Sequence, residues 1–225
     1  INSTWDNHIA VLVGDFFVSG ALACATHTSS VEILNTMARL GADLALGEID
    51  QFDNARNHSI TEAHYFDIIS HKTASLFTSC VAVGGLAAGA AQAQIEPLKR
   101  YAQLLGMCFQ IKDDTFDYFN DPVIGKPTGN DLREGKVTLP LIYALSQTGL
   151  PEHDDMLALA HKSELSTAEI DRLIEFAKQN GGIEYAYSTM ERLRLEADEV
   201  LNSYEPCETI DAFKLIFRYI IERKK

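Results

Sequence analysis

The 225-residue sequence predicts an all-α fold, read as one helical domain over 1–225. Three observations predict it. Apolar residues recur at intervals of three and four, as in Val31, Leu34, Met37, Ala38, Gly41, Leu44 and Ala45, which is a helical and not an alternating period. Serine followed three places later by glutamate, the spacing of a capping box, occurs at Ser29/Glu32, Ser59/Glu62 and Ser166/Glu169. No convincing pair of strands can be found between these signals, so helix-on-helix packing is the expected architecture.

Taken in order, periodicity predicts a first helix near 5–27, and the capping boxes open helices near 30–51, 61–80 and 167–180. Periodicity adds helices near 83–93, 97–119, 137–148, 183–203 and 209–223. Asn180-Gly181-Gly182 stops one helix, and Gly149 before Pro151 stops another. The run "VAVGGLAAGAAQAQ" (81–94) either lets helix backbones approach closely or leaves open volume beside a helix. The segment "NDPVIGKPTGNDLREGK" (120–136), rich in glycine, proline and basic residues, reads as a loop, and loops on a helical scaffold often carry function.

A net charge of -13 disfavours nucleic acid and anionic membrane as partners. The four cysteines, at 24, 80, 108 and 207, lack CxxC spacing and lie in apolar sequence, which predicts reduced core thiols and a cytoplasmic location. No run of about 18 uninterrupted apolar residues occurs, so no transmembrane segment is expected. His153-Asp154-Asp155 is expected in a surface loop.

The chemistry concentrates in "FQIKDDTFDYF" (109–119). On a helix advancing about 100° per residue, Asp114 lies about 100° and Asp117 about 40° from Asp113, so the three acids share a face. Such a face repels itself. It is either solvated or neutralised by a hard cation, and Mg²⁺ suits one or two carboxylates together with substrate phosphates. Lys126 and Lys136 each follow a glycine in the next segment, and two ammonium groups opposite a metal-loaded acid cluster would clamp a diphosphate. "HKTASLF" (71–77) adds Lys72 and Thr73 among apolar neighbours, where a lone lysine could equally be a surface residue with a buried stem.

"GMCFQIKDDTFDYF", "GKPTGNDLREGKVTLPLI", "HKTASLF" and "GEIDQF", in this order and spacing, closely resemble the trans-isoprenyl diphosphate synthases, especially the bacterial long-chain polyprenyl type. The resemblance extends from the opening "INSTWDNHIAVLVGDFF" to the closing "FRYIIERKK". It implies an isoprenoid synthase-type bundle around a central cavity, and an Mg²⁺-dependent prenyltransferase joining isopentenyl diphosphate to an allylic diphosphate. Asp113, Asp114 and Asp117 match the second aspartate-rich motif, which holds Mg²⁺. Lys72, Gln110, Lys126 and Lys136 match diphosphate and allylic-site contacts, and Thr73 with its neighbouring carbonyl matches the position facing the developing allylic cation. Glu48 and Gln51 fall in the family's GExxQ pattern, as helix-to-helix hydrogen-bonding groups or as direct participants. Asp15 is cavity-facing in the family or an anchor for basic residues.

The resemblance also implies a homodimer built on the helices near 5–27 and 30–51, and raises the run 81–94 as a wall of the product tunnel. The first aspartate-rich motif, the arginine pair after it and the basic residues for isopentenyl diphosphate do not occur in these 225 residues. The expectation is therefore an N-terminally truncated, inactive piece of a transferase. The alternative is a non-catalytic partner subunit of a heteromeric synthase. A terpene cyclase would share the fold and metal-dependent ionisation, but the paired GK segment and "HKTASLF" favour chain elongation.

Overall fold

Glu62 to Ala87 run as one nearly continuous rod, interrupted midway by a widened turn, and a second long helix lies against it at the centre of the molecule. The computed structural model describes residues 4–57, 61–119 and 128–224. Its helices are α1 (Asn7–Thr26), α2 (Val31–Asn57), α3 (Glu62–Ile69), a π-helical turn (Ser70–Ala74), α4 (Ser75–Ala87), α5 (Gln92–Phe116), α6 (Asn130–Arg133), α7 (Leu139–Ser146), α8 (His153–Ala160), α9 (Thr167–Gln179), α10 (Gly182–Leu201) and α11 (Glu208–Glu222). Among the described residues no strand is present, in keeping with the expected all-α class.

Helix α5 is the axis. It packs against α4 and α10 along its length and also meets the π turn, α3, α7 and α11. Surrounded in this way, it buries Tyr101, Leu104, Leu105, Cys108 and Ile111, as a central helix does and a surface helix does not. One core cluster joins α5 to α10 and α11 through Met190, Leu193, Leu201 and Phe217. A second cluster joins α7, α8 and α9 through Leu141, Met156, Ile170 and Leu173.

Local chemistry explains most boundaries. Asp6 caps α1 by accepting from Ile9 N at 2.9 Å. The box at Ser166/Glu169 forms reciprocally, with Glu169 Oε2 accepting from Ser166 N at 2.9 Å and Ser166 Oγ from Glu169 N at 3.4 Å. Gly181, in the left-handed region with φ 76°, separates α9 from α10.

Several expectations are corrected. The α2 cap is Ser30, whose Oγ accepts from Ile33 N, because Ser29 itself turns to φ 55°. Ser59 lies outside the described residues, and the α3 cap is Thr61, accepting from His64 N. No separate helix spans 83–93. The rod continues to Ala87, Gly89 reverses the chain at φ 73°, and α5 starts early because the Gln94 side chain accepts from Ala91 N. Residues 130–133 of the expected loop form α6, and α8 was not expected at all.

His153 begins α8 and is buried, with Nε2 2.9 Å from Leu145 O and Nδ1 2.9 Å from Asp154 Oδ1. The cysteines are free as expected, but only Cys108 is in the core; Cys24, Cys80 and Cys207 are exposed on helix faces or ends that the fold leaves open. Burial pushes the Cys108 thiol up to about 12. By length and composition Asn7–His27 could cross a membrane, since mean hydropathy over a window tolerates Asp15, and 6% of that window is buried. Its exposed side chains include Val11, Leu12, Phe16 and Phe17.

Candidate active site

Lys72 and Thr73 sit in the π turn, which carries one more residue per turn than the α-helix around it. Helix α2 presses directly on this turn. A β-carbon built on Gly47 would stand 2.7 Å from Lys72 N, so glycine is what allows the two backbones to touch. The same helix receives the lysine's head: Nζ lies 2.5 Å from Glu48 Oε2 and 2.5 Å from Gln51 Oε1. Glu48 and Gln51 thus make the helix-to-helix contacts that were one of their two readings. Asp15 is exposed on α1.

On the other side, Thr73 Oγ1 donates to Gln110 Oε1 at 2.7 Å, Gln110 Nε2 donates to Asp114 Oδ1 at 2.8 Å, and Tyr65 OH donates to Asp114 Oδ2 at 2.7 Å. Asp114 is 7% exposed. Burial raises its carboxyl to about 7, the charges of Asp131 and Asp113 add to this, and the hydrogen bonds from Tyr65 and Gln110 oppose it. Burial raises the Tyr65 hydroxyl as well, with Asp114 reinforcing it.

These groups border a cavity of about 100 Å³, lined also by Gln51, Lys72, Asp131, Lys136 and Thr138. Lys136 Nζ lies 2.5 Å from Glu134 Oε2. Burial pulls this ammonium down, but Glu134, Asp131 and Glu48 more than offset it and leave its pKa raised. Lys126 lies outside the described residues.

The three acids do not converge. Asp113, one position before Asp114, is turned toward the end of α11 and paired with Arg223. Asp117 lies just past α5, where the free N–H groups at the start of α6 claim it: Asn130 N and Asp131 N each donate to it at 3.0 Å. Only Asp114 lines the cavity. A shared helix face was therefore a necessary but not sufficient condition, because each carboxylate was captured by a different neighbour. Among the described residues no three acidic, imidazole or thiol side chains gather into a ready metal-ligating group.

The donor chemistry nevertheless fits a hard cation. Burial first, and then the charges of Asp131 and Asp113, raise Asp114; a divalent ion would offset both by neutralising the carboxylate, and Mg²⁺ needs only one or two protein carboxylates.

Tyr65, Asp131, Glu134 and Arg223 were not anticipated. Tyr65, seven positions before Lys72, shares its helix face, and Asp131 and Glu134 lie in the segment already singled out, so these signals were available. The run 81–94 does not line the described cavity; a β-carbon on Gly85 would meet Ile95 at 2.7 Å, which is close helix packing.

Residues 1–177 match the sequence profile of a family described as Polyprenyl synthetase. The octaprenyl diphosphate synthase of Escherichia coli (strain K12) is 34% identical over 201 residues, covering 89% of this chain and 61% of that protein. Heptaprenyl diphosphate synthase component 2 of Bacillus subtilis (strain 168) is 29% identical over 225 residues, covering 100% of this chain and 64% of that protein. Among solved structures, a geranylgeranyl pyrophosphate synthase from Bacteroides thetaiotaomicron superposes with a TM-score of 0.90 at 38% identity, covering 98% of this chain and 73% of that one. A polyprenyl synthase from Caulobacter crescentus CB15, complexed with calcium and isoprenyl diphosphate, gives a TM-score of 0.92 at 29% identity, covering 100% of this chain and 69% of that one. The chain thus spans 61% of the length of the Escherichia coli relative.

Proposed function

The chain belongs to the polyprenyl synthetase family, and on that premise we propose that it serves an Mg²⁺-dependent trans-prenyltransferase that condenses isopentenyl diphosphate with an allylic diphosphate to a long-chain all-trans polyprenyl diphosphate. The observation that carries this is the single cavity where Lys72 and Lys136 meet Asp114, Gln110 and Thr73.

Lys72 and Lys136, exchanging Glu48 and Glu134 for phosphate oxygens, hold the allylic diphosphate and stabilise the charge that builds on it. Lys126 joins them. Gln110 orients Thr73, whose hydroxyl, with the neighbouring carbonyl, would face the carbon that loses the diphosphate. The C–O bond breaks with its electron pair leaving on the diphosphate, the alkene of isopentenyl diphosphate forms the new C–C bond, and a proton passes to the released diphosphate. Asp113 and Asp114 would hold Mg²⁺, with Asp117 contributing the lone pairs its backbone contacts leave over. Bound there, the ion would supply further charge neutralisation on the leaving group.

We also propose a cytoplasmic homodimer joined through the exposed apolar faces of α1 and α2. Residues 1–225 alone are proposed not to turn over, since they hold one aspartate-rich motif. A second reading, a subunit of a heteromeric synthase, is supported by the likeness to component 2 over the whole chain. The test is product analysis with labelled isopentenyl diphosphate and several allylic primers, using the full-length protein. Mg²⁺-dependent elongation supports the enzyme reading. Inactivity with every primer, relieved by adding a second synthase subunit, replaces it with the subunit reading.

A further inference from the structure

Arg223, just past the end of α11, lies 110 residues from Asp113 in sequence, yet its guanidinium pairs with that carboxylate. Its guanidinium carbon sits 4.3 Å from the centre of the Phe109 ring and 5.4 Å from that of Phe116, two residues that bracket Asp113 on α5. The side chain is 14% exposed. The hold on Asp113 is nonetheless incomplete. One nitrogen, Nη2, makes the contact and also reaches Phe109 O at 3.4 Å, while the buried Nε has no hydrogen-bond partner among the described residues. An arginine placed for its own hydrogen bonding would present its fork to both carboxylate oxygens. Here aromatic packing fixes the guanidinium, and the carboxylate contact is a single prong.

We infer that Arg223 is a positioning residue of the site: an internal counter-cation that stands on Asp113 until a divalent ion takes the carboxylate. This rests on the assignment of Asp113 to Mg²⁺. An ion seated on the oxygen that Arg223 holds would displace the guanidinium, and in this inference the last turn of α11 loosens as it does. That turn is held by Arg223 N donating to Tyr219 O at 2.8 Å, which makes its amide a reporter of the exchange.

The test uses Mn²⁺ as the probe, with free ion counted by electron paramagnetic resonance, on the full-length protein and its Arg223→Gln, Arg223→Lys and Asp113→Asn variants. Arg223→Gln is expected to bind Mn²⁺ about threefold or more tightly than wild type, and Arg223→Lys to stay near wild type. A merely structural arginine would give unchanged or weaker binding on removal. That result, in a variant with wild-type circular dichroism, overturns the inference. Should Arg223→Gln not fold, amide exchange of wild type decides instead: Mn²⁺ is expected to speed exchange at Arg223, and an unchanged rate overturns the inference. Asp113→Asn separates the two claims. If it binds Mn²⁺ as wild type does, the metal assignment of Asp113 falls and the inference with it; if it binds more weakly while Arg223→Gln gains nothing, the inference alone falls.

Discussion

Gly47 and Lys72 touch backbone to backbone: a β-carbon on the glycine would lie 2.7 Å from the lysine's nitrogen and 3.0 Å from its α-carbon. Gly47→Ala must therefore push the π turn away from α2 and shift the ammonium off Glu48 and Gln51. The expected result is a loss of about 1–3 kcal/mol in stability and at least about a tenfold fall in kcat/KM. Chemical denaturation and steady-state kinetics on the full-length protein check it; wild-type kinetics would show that Lys72 is not positioned by α2.

Tyr65→Phe removes one of the two side-chain donors to buried Asp114. A loss of about 1–3 kcal/mol is expected from the carboxylate left short of a partner. Mn²⁺ affinity should fall with it, because Gln110 alone is then left to orient Asp114. Calorimetric titration that finds affinity unchanged would remove Tyr65 from the metal's support.

Gly129 has φ 75° and would set a β-carbon 2.3 Å from Ile170 Cγ2, while its N–H donates to Asp117 O at 3.0 Å. Gly129→Ala combines backbone strain with a clash in the α9 core. It should cost about 2–4 kcal/mol and lower Tm by about 5 °C or more, measured by calorimetry.

His153 carries a pH-dependent contribution of defined sign. The hydrogen bonds the ring donates to Asp154 and to the Leu145 carbonyl raise its pKa in the folded protein against the opposing effect of burial. Its stabilising contribution is thus complete below the unfolded value of about 6.5 and is lost as pH rises through the higher folded value. Titration of the ring by NMR should show the raised midpoint, and Asp154→Asn should return it toward the ordinary range.

Features encoded within a few residues were legible in the sequence. Ser166 and Glu169 satisfy each other three positions apart, and Lys72, Thr73, Gln110, Asp114 and Lys136 do border one cavity. Phase was harder. In the run 81–94 alanine and glycine mark no preferred face, so the turn at Gly89 was displaced by several residues. Helix α8 has no side-chain cap at Glu152 to announce it. Partner choice was hardest: nothing near Asp113 or Asp117 indicates that one faces Arg223 and the other the start of α6, because those partners are chosen by how helices dock.

The widened turn at Ser70–Ala74 also sets the rotational register between two halves of one rod. The same residues wound as an ordinary α-helix would turn everything after them by about 100° relative to what precedes them. Tyr65 and Ile69 before the turn, and Ala74 and Phe77 after it, all pack into the α5 core. A regular helix of this length could present one of those groups to α5 but not both. Straightening this turn without shortening it would consequently be a frameshift in space, the chain downstream keeping its sequence and losing its face. A single-residue deletion between 70 and 74 would instead remove the extra residue and leave both groups on α5.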